Sequence, residues 1–202
     1  MTRRDLLAAS AALLPLGRMW AGAPKLEHGD GSELIGRPAP PLKLTRWINS
    51  PALEMSDLRG KVVLLRWWTD GCPYCEATGP ALRAFQRKYS AEGLEIIGVY
   101  HPKPDPGVWD LDMVKKAAAE KQFTFPVALD GDWSALKRWW LTRERDFTSV
   151  SFVVDRRGMI RYVQPGGEFH EGNEGGFSTH ESCNRDYRAI EETIRRLLAE
   201  PA

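Results

Sequence analysis

The chain is poor in cysteine, and neither sign of charge is in clear excess. Its 202 residues contain three cysteines, too few for a disulfide-stapled scaffold. The 28 basic and 27 acidic residues give a net charge of +1, and neither sign forms a long run. This balance argues against a nucleic-acid partner and against an acidic solvating tail. Partner selection is therefore expected to depend on a local site.

No hydrophobic run is long enough to cross a bilayer. The apolar stretch at 6–16 falls short of the roughly 20 residues that a membrane-spanning helix needs. It follows Arg3 and Arg4, as in an export signal, and the paired arginines resemble a twin-arginine signal. An ordinary secretory signal with a charged start is the alternative. We expect residues 1–23 to be an export signal, and the mature chain to be periplasmic or otherwise exported, with no transmembrane span.

The rest of the chain predicts one domain in which strands alternate with helices. Residues 24–36 are polar and are expected to form a linker, followed by the domain at 37–202. A long glycine-rich loop is expected at 164–185. This pattern predicts an α/β sheet with both faces covered. Strands are predicted at 42–47, 61–68, 94–100, 126–130, 150–155 and 158–163, and helices at 73–89, 108–121, 133–141 and 186–200.

The motif whose side chains can carry out a reaction is Cys72-Pro73-Tyr74-Cys75, between a predicted buried strand and a predicted helix. A cysteine in the first turn of a helix lies near unsatisfied N–H groups, which lower its pKa. A second cysteine one turn later can attack a mixed disulfide formed at the first. Cys72 is therefore the expected nucleophile and Cys75 the resolving thiol. A structural disulfide or half of a zinc site are the alternatives, but the chain contains no second C-x-x-C.

The segment 55–65, followed by Trp67, Trp68 and the C-x-x-C motif, resembles the TlpA/ResA-like branch of the thioredoxin-fold (redoxin) family. Pro80, the insert-like segment 124–127 and the hairpin segment 151–155 support the resemblance, which covers about residues 35–165 and the last helix. It implies a thioredoxin-like fold, with a central mixed sheet flanked by helices and a TlpA-type insert. It also implies a thiol–disulfide oxidoreductase with no cofactor beyond a redox-active Cys72–Cys75 disulfide. The implied partners are protein thiols or disulfides and an external electron donor or acceptor.

Three positions depart from the family's pattern. Ser149 stands where the family has a cis-proline facing the active site, and Thr78 replaces an acidic residue. Arg66 stands where thioredoxins have a buried aspartate; facing inward it would favour thiolates without acting as a base. Turned outward, or paired with a carboxylate, it would have no such role. Trp68, at the end of the strand before the motif, and Pro73 and Tyr74, between the two cysteines, are further candidates for supporting residues.

Histidines and the third cysteine follow strands whose carboxyl ends are expected at the edge that holds Cys72. His101 follows the strand at 94–100, and it could help to deprotonate a thiol. His170, His180 and Cys183 lie in the predicted loop. Cys183 could exchange disulfides with the pair, or these three residues could contribute to a metal site, with Cys72 as another candidate ligand. A solvated surface loop is the remaining interpretation.

Two other functions remain open at this point. Thr69 and Cys72 form the T-x-x-C of a peroxiredoxin-like peroxidase, in which Cys72 would be oxidised to a sulfenic acid. A Sco-like metal carrier would use the cysteines and a loop histidine as ligands. Leu65 stands four residues before Thr69, where such a peroxidase has a proline, and this argues against the peroxidase. The close C-x-x-C spacing argues against the metal carrier.

Overall fold

The computed structural model describes residues 29–107, 109–142, 145–172 and 180–201. The predicted export signal lies outside this part of the chain, so the proposed division at 23 and 36 stays a prediction. Strands are β1 (Trp47–Ile48), β2 (Val62–Trp68), β3 (Leu94–Tyr100), β4 (Val127–Leu129), β5 (Val150–Val154) and β6 (Ile160–Pro165). Helices are α1 (Pro73–Tyr89), α2 (Leu111–Glu120), α3 (Ser134–Trp139) and α4 (His180–Ala199).

The strands form one mixed sheet in the order β1-β4-β3-β2-β5-β6. Strand β2 is parallel to β3, and β3 is parallel to β4, while β1, β5 and β6 join by antiparallel pairing. All seven residues of β2 are buried, as expected for a central strand covered on both faces. Residues of α1, α2 and α4 pack on one face and residues of α3 on the other. The predicted mixed sheet flanked by helices is therefore confirmed.

The bounds of α1 and β3 are those predicted, whereas β1 is shorter. The predicted edge strand at 42–47 is wrong for most of its length, since β1 begins only at Trp47. Leu42 and Leu44 are buried in alternation, which is why the segment has the pattern of a strand. Lys43 between them has a φ of 54°, and this left-handed conformation interrupts an extended strand.

The largest difference lies at the C-terminal helix. We expected a loop over 164–185, but β6 continues to Pro165 and α4 begins at His180. The segment between them is therefore 166–179, of which 173–179 lies outside the described residues. The buried face of α4 continues the spacing of its apolar residues back to Cys183, which lies four positions before Tyr187. His180 and Cys183 are thus helical residues.

The carboxyl ends of β2, β3 and β6 lie at the same sheet edge, as the topology predicts. Strand β6 runs parallel to β2 because each is antiparallel to β5. Cys72, His101 and the segment after β6 therefore follow strand ends on one side of the sheet. In the described part of the chain, no helix combines the length and apolar character needed to cross a membrane.

Asp130 stabilises the same edge from the end of β4. Its buried carboxylate accepts hydrogen bonds from the N–H groups of Ala135 at 3.0 Å and Leu136 at 2.7 Å. It also accepts one from the indole of Trp67 at 3.4 Å. Asp130 thereby satisfies donors of the first turn of α3 and fixes that helix against β2.

We expect Asp130→Ala to lower the free energy of unfolding by about 1 to 3 kcal/mol, because two buried N–H groups lose their acceptor. Chemical denaturation followed by circular dichroism measures the change. Asp132→Ala is the matched control: its exposed side chain accepts a hydrogen bond from Ser134 N–H, and its loss should cost only about 0.5 kcal/mol. Equal effects of the two substitutions would show that Asp130 does not stabilise α3 as described.

Candidate active site

A sharp turn places Cys72 directly before α1. Strand β2 ends at Trp68, and Gly71 then adopts a φ of 63°, a left-handed conformation that glycine adopts without steric cost. Cys72 is the residue that caps the helix, and its carbonyl oxygen accepts from the N–H groups of Cys75 and Glu76, both at 3.0 Å. Pro73 occupies the first helical position, where no N–H donor is needed.

The hydroxyl of Ser149 lies between the two thiols. Its oxygen is 3.9 Å from the sulfur of Cys72 and 3.7 Å from that of Cys75. Both cysteines are buried, Cys75 more deeply, and neither is in a disulfide in this structure. Ser149 thus faces the thiols from the position at which the family has its cis-proline, and unlike proline it can donate a hydrogen bond to a thiolate.

The environment moves the pKa values of the two thiols in opposite directions. Hydrogen bonding from the side chain of Cys75 is the main cause that lowers the pKa of Cys72 to about 5. The backbone N–H of Cys75, the hydroxyl of Ser149 and the charge of Lys103 act in the same direction, against the effect of burial. The pKa of Cys75 is raised, first by its hydrogen bond to Cys72 and then by burial. At neutral pH, Cys72 is therefore the thiolate and Cys75 the thiol.

Arg66 faces inward and is fully buried beneath the thiols. Its Nη1 donates to Ser151 Oγ at 3.2 Å and to Gln164 Oε1 at 3.0 Å, and its Nη2 donates to the carbonyl of Gly167 at 2.7 Å. Burial lowers the pKa of Arg66, and the electrostatic effects of Cys75 and Cys72 oppose that shift. Its positive charge in turn lowers the pKa of Cys75. Arg66 therefore supplies charge beneath the thiols, where thioredoxins have an acidic side chain.

His101 lies at the predicted edge without a hydrogen bond to either thiol. Within the described residues, neither of its ring nitrogens has a hydrogen-bond partner, and its ring packs edge-on against Trp133. Burial, with the charges of Lys103 and Arg66, lowers the pKa of His101 to about 3. The imidazole is therefore neutral at physiological pH and a weak base, so the structure does not support its predicted role in deprotonation.

The other residues beside the motif differ in exposure. Trp68 is buried and packs edge-on against Tyr100 and Phe123, so it supports the core beneath the site. Tyr74 is 40% exposed and lies on the surface next to Cys72. Thr78 is buried, and its hydroxyl donates to the carbonyl of Tyr74 at 2.8 Å. Its hydroxyl is thus satisfied within the first turns of α1.

The second predicted group assembles around the start of α4. Ligand atoms of Glu168, His170 and Cys183 lie within 4.8 Å of one another, and all three residues are buried. The ring of His180 lies 5.5 Å from that of His170. No such group of three in the described part of the chain includes Cys72 or Cys75. The structure thus brings His170 and Cys183 together with Glu168, and it places His180 beside His170. That these residues bind a metal stays a prediction.

Two members of these sites were missed from sequence. Glu168 is one of several glutamates in a glycine-rich segment, and no spacing distinguished it from the others. Gln164, which accepts from Arg66, follows a strand that was expected to end at Val163. The alternation of β6 could have revealed Gln164, because a polar side chain on the buried face of a strand requires a polar partner.

Comparison with known proteins identifies the family. Residues 35–163 match the AhpC/TSA family, over more than half of the chain. DipZ of Mycobacterium tuberculosis is 29% identical over 79% of this chain, which spans only 20% of DipZ. The thiol-disulfide oxidoreductase ResA of Bacillus thuringiensis is 28% identical over 62% of this chain and 66% of its own. The chain thus covers about a fifth of its larger relative DipZ and about two thirds of ResA.

A solved structure confirms the fold. The crystal structure of a thiol:disulfide interchange protein DsbE from Chlorobium tepidum superposes with a TM-score of 0.62, covering 82% of this chain and 98% of its own. At 23% identity, this likeness establishes the thioredoxin-like fold alone. That residues 124–127 form a TlpA-type insert stays a prediction. With the fold and the family match in agreement, the chain belongs to the AhpC/TSA family, on its TlpA/ResA-like thioredoxin-fold branch.

Proposed function

We propose that this protein is exported and exchanges disulfides with other proteins through Cys72 and Cys75. Its general class, thiol–disulfide oxidoreductase, is the class of its relative ResA. The observation that carries the proposal is the opposite shift of the two pKa values: Cys72 falls to about 5, whereas Cys75 rises. Cys72 is thereby a thiolate that can attack a disulfide, and Cys75 stays protonated until the second step.

The exchange takes two steps. The thiolate of Cys72 attacks a partner's disulfide; the partner's S–S bond breaks, a mixed disulfide forms, and the departing sulfur takes a proton from water. Cys75 then loses its proton and attacks the sulfur of Cys72, which forms the Cys72–Cys75 disulfide and releases the second partner sulfur. Two electrons pass from the dithiol to the partner, and the reverse sequence oxidises a partner dithiol. An external donor or acceptor restores the starting state, and no cofactor beyond the disulfide is required.

The structure suggests how Cys75 is activated at the right time. Its pKa is raised mainly by the hydrogen bond to Cys72. Once Cys72 is in a mixed disulfide, its sulfur carries no charge, and this effect is lost. The charge of Arg66, which lowers the pKa of Cys75, then acts with less opposition. Because Arg66 cannot accept a proton, we expect the proton of Cys75 to leave to water.

A partner of protein size fits the surface beside the thiols. Tyr74, next to Cys72, is 40% exposed, and Phe147, two residues before Ser149, is 38% exposed. Exposed aromatic side chains on both chain segments that form the site can pack against an extended polypeptide. This supports protein thiols and disulfides as substrates.

Equilibration in glutathione buffers of graded potential tests the function. Stabilisation of the Cys72 thiolate favours the reduced form, so we expect a potential less negative than the roughly −270 mV of thioredoxin and no higher than about −120 mV. Trapping by alkylation, with mass mapping, should show a reversible two-electron couple confined to Cys72 and Cys75. Cys72→Ser should abolish it, and Thr148→Ala, beside the site, should leave it intact. Oxidation of Cys72 to an acid, with peroxide consumption and no such couple, would instead identify a peroxidase.

The pKa of Cys72 can be measured by its rate of alkylation with iodoacetamide. Because only the thiolate reacts, the rate should rise with pH and reach half its maximum near pH 5. Cys75 should remain unmodified at neutral pH because its pKa is raised. Ser149→Ala removes a hydrogen bond to the thiolate, so the midpoint should move to higher pH.

Thr148→Ala is the matched control for Ser149→Ala. Thr148 is equally buried and precedes Ser149, yet its hydroxyl has no hydrogen-bond partner among the described residues. Its removal should leave the midpoint unchanged. A midpoint near pH 9 in the wild type, or equal shifts in both variants, would refute the role of Ser149 in stabilising the thiolate.

Export by the twin-arginine route is tested by replacing Arg3 and Arg4 with lysines. The charge is kept, so an ordinary secretory signal should still function, whereas a twin-arginine signal should not. Cell fractionation of a bacterial host should then show the protein outside the cytoplasm for the wild type and retained inside for the variant. Equal export of both would identify the ordinary route, and retention of both would refute export.

A further inference from the structure

We propose that Glu168, His170 and Cys183 bind a transition-metal ion of the zinc class, at a site separate from the C-x-x-C pair. Their ligand atoms lie within 4.8 Å of one another. Ligands that surround a tetrahedral zinc ion at about 2.0–2.3 Å lie about 3.5 Å from each other. Small side-chain movements therefore suffice to bring the three atoms into a coordination sphere.

The imidazole of His170 gives the independent indication of a ligand. His170 is only 5% exposed, and neither ring nitrogen has a hydrogen-bond partner within the described ranges. Burial of a polar ring without a partner is costly, and such groups in native structures call for an explanation. A metal ion that binds one nitrogen of His170 would provide it.

Backbone anchoring holds two of these ligands in place. Phe169, between Glu168 and His170, is fully buried and stacks on Phe85 of α1. Its backbone N–H donates to the hydroxyl of Thr78 at 3.4 Å. Because Phe169 is fixed in the core, the residues on either side of it have little freedom to move away. The ligands are therefore partly preorganised.

The third ligand comes from α4. Cys183 lies on the buried face of this helix, and its thiol donates to Glu168 Oε1 at 3.5 Å. One sulfur, one nitrogen and one oxygen thus converge from two elements. This set favours zinc or a similar ion, whereas magnesium and calcium prefer oxygen ligands alone.

The charges of the set suit a dication. On binding, the thiol of Cys183 loses one proton, and the thiolate and the carboxylate of Glu168 together neutralise two positive charges. The complex is neutral as a whole, and a neutral group tolerates burial. In a tetrahedral site, the fourth ligand would be His180 or a water molecule. His180 lies one turn before Cys183 on α4, and its Nδ1 has no hydrogen-bond partner among the described residues.

The test uses the full chain with Cys72→Ser and Cys75→Ser, because a dithiol can itself bind zinc. We expect this variant, freed of metal by a chelator, to take up one equivalent of Zn²⁺ in equilibrium dialysis. Co²⁺ should give the thiolate-to-metal charge-transfer absorption of a cysteine ligand. In this background, His170→Ala should weaken zinc binding by more than about 100-fold, since even residues behind the ligands contribute 10- to 100-fold. Cys183→Ser should do the same.

Glu181→Gln is the matched control, an exposed carboxylate on the same helix turn as Cys183, and it should bind zinc as tightly as the parent. Circular dichroism checks that each variant folds. If either ligand variant fails to fold, the test is instead made on the parent, the Cys72→Ser, Cys75→Ser variant. Zinc must then shift the NMR signals of the ring nitrogens of His170. No zinc uptake by the parent, unchanged affinity after His170→Ala, or unmoved His170 signals would overturn the proposal.

Discussion

The buried guanidinium of Arg66 is the constraint around which the site is organised. A charge without solvent contact must be compensated by hydrogen bonds or opposite charges, because its transfer from water is expensive. Strand β2 places Arg66 opposite Ser151 of β5, which in turn lies opposite Gln164 of β6. The polar row therefore crosses three strands, and the carbonyl of Gly167 extends it beyond the sheet. The hydrogen bonds of one side chain connect the central strand to the segment that carries Glu168 and His170.

This connection ties the thiol pair to the second cluster, at the sheet edge to which the topology brings both. The guanidinium is beneath Cys75, and the charge of Glu168 also acts on it. The centre of the Phe169 ring lies 5.7 Å from the guanidinium carbon. The segment after β6 is thus held against α1 by polar and aromatic contacts together. A neutral residue at position 66 would leave Gln164 and Gly167 without their donor, so the loss would spread beyond the electrostatics of the thiols.

The features that depend on local patterns could be predicted from the sequence. The bounds of α1 and β3 follow from a proline after a turn and from a continuous apolar run, both of which are local signals. The position of Ser149 came from a family alignment, and the structure places its hydroxyl beside both sulfurs. The features that the sequence did not predict depend on tertiary contacts. Glu168 has no sequence signal because its neighbours come from α4, and the polar first turns of α4 concealed the start of that helix. Whether Arg66 faces inward depends on partners nearly a hundred residues away.

An arginine beneath the thiols has a different chemical consequence from the aspartate of thioredoxins. A carboxylate can accept the proton of the resolving cysteine, but its effect changes as it titrates. A guanidinium accepts no proton, and its charge persists across the physiological pH range. In the proposed exchange, the drive to ionise Cys75 is therefore always present. What changes is the opposing effect of Cys72, which is strong while that sulfur is a thiolate and absent once it is bonded to a partner. The order of the two steps then follows from the charge on Cys72 alone, and the site needs no base whose protonation must be timed.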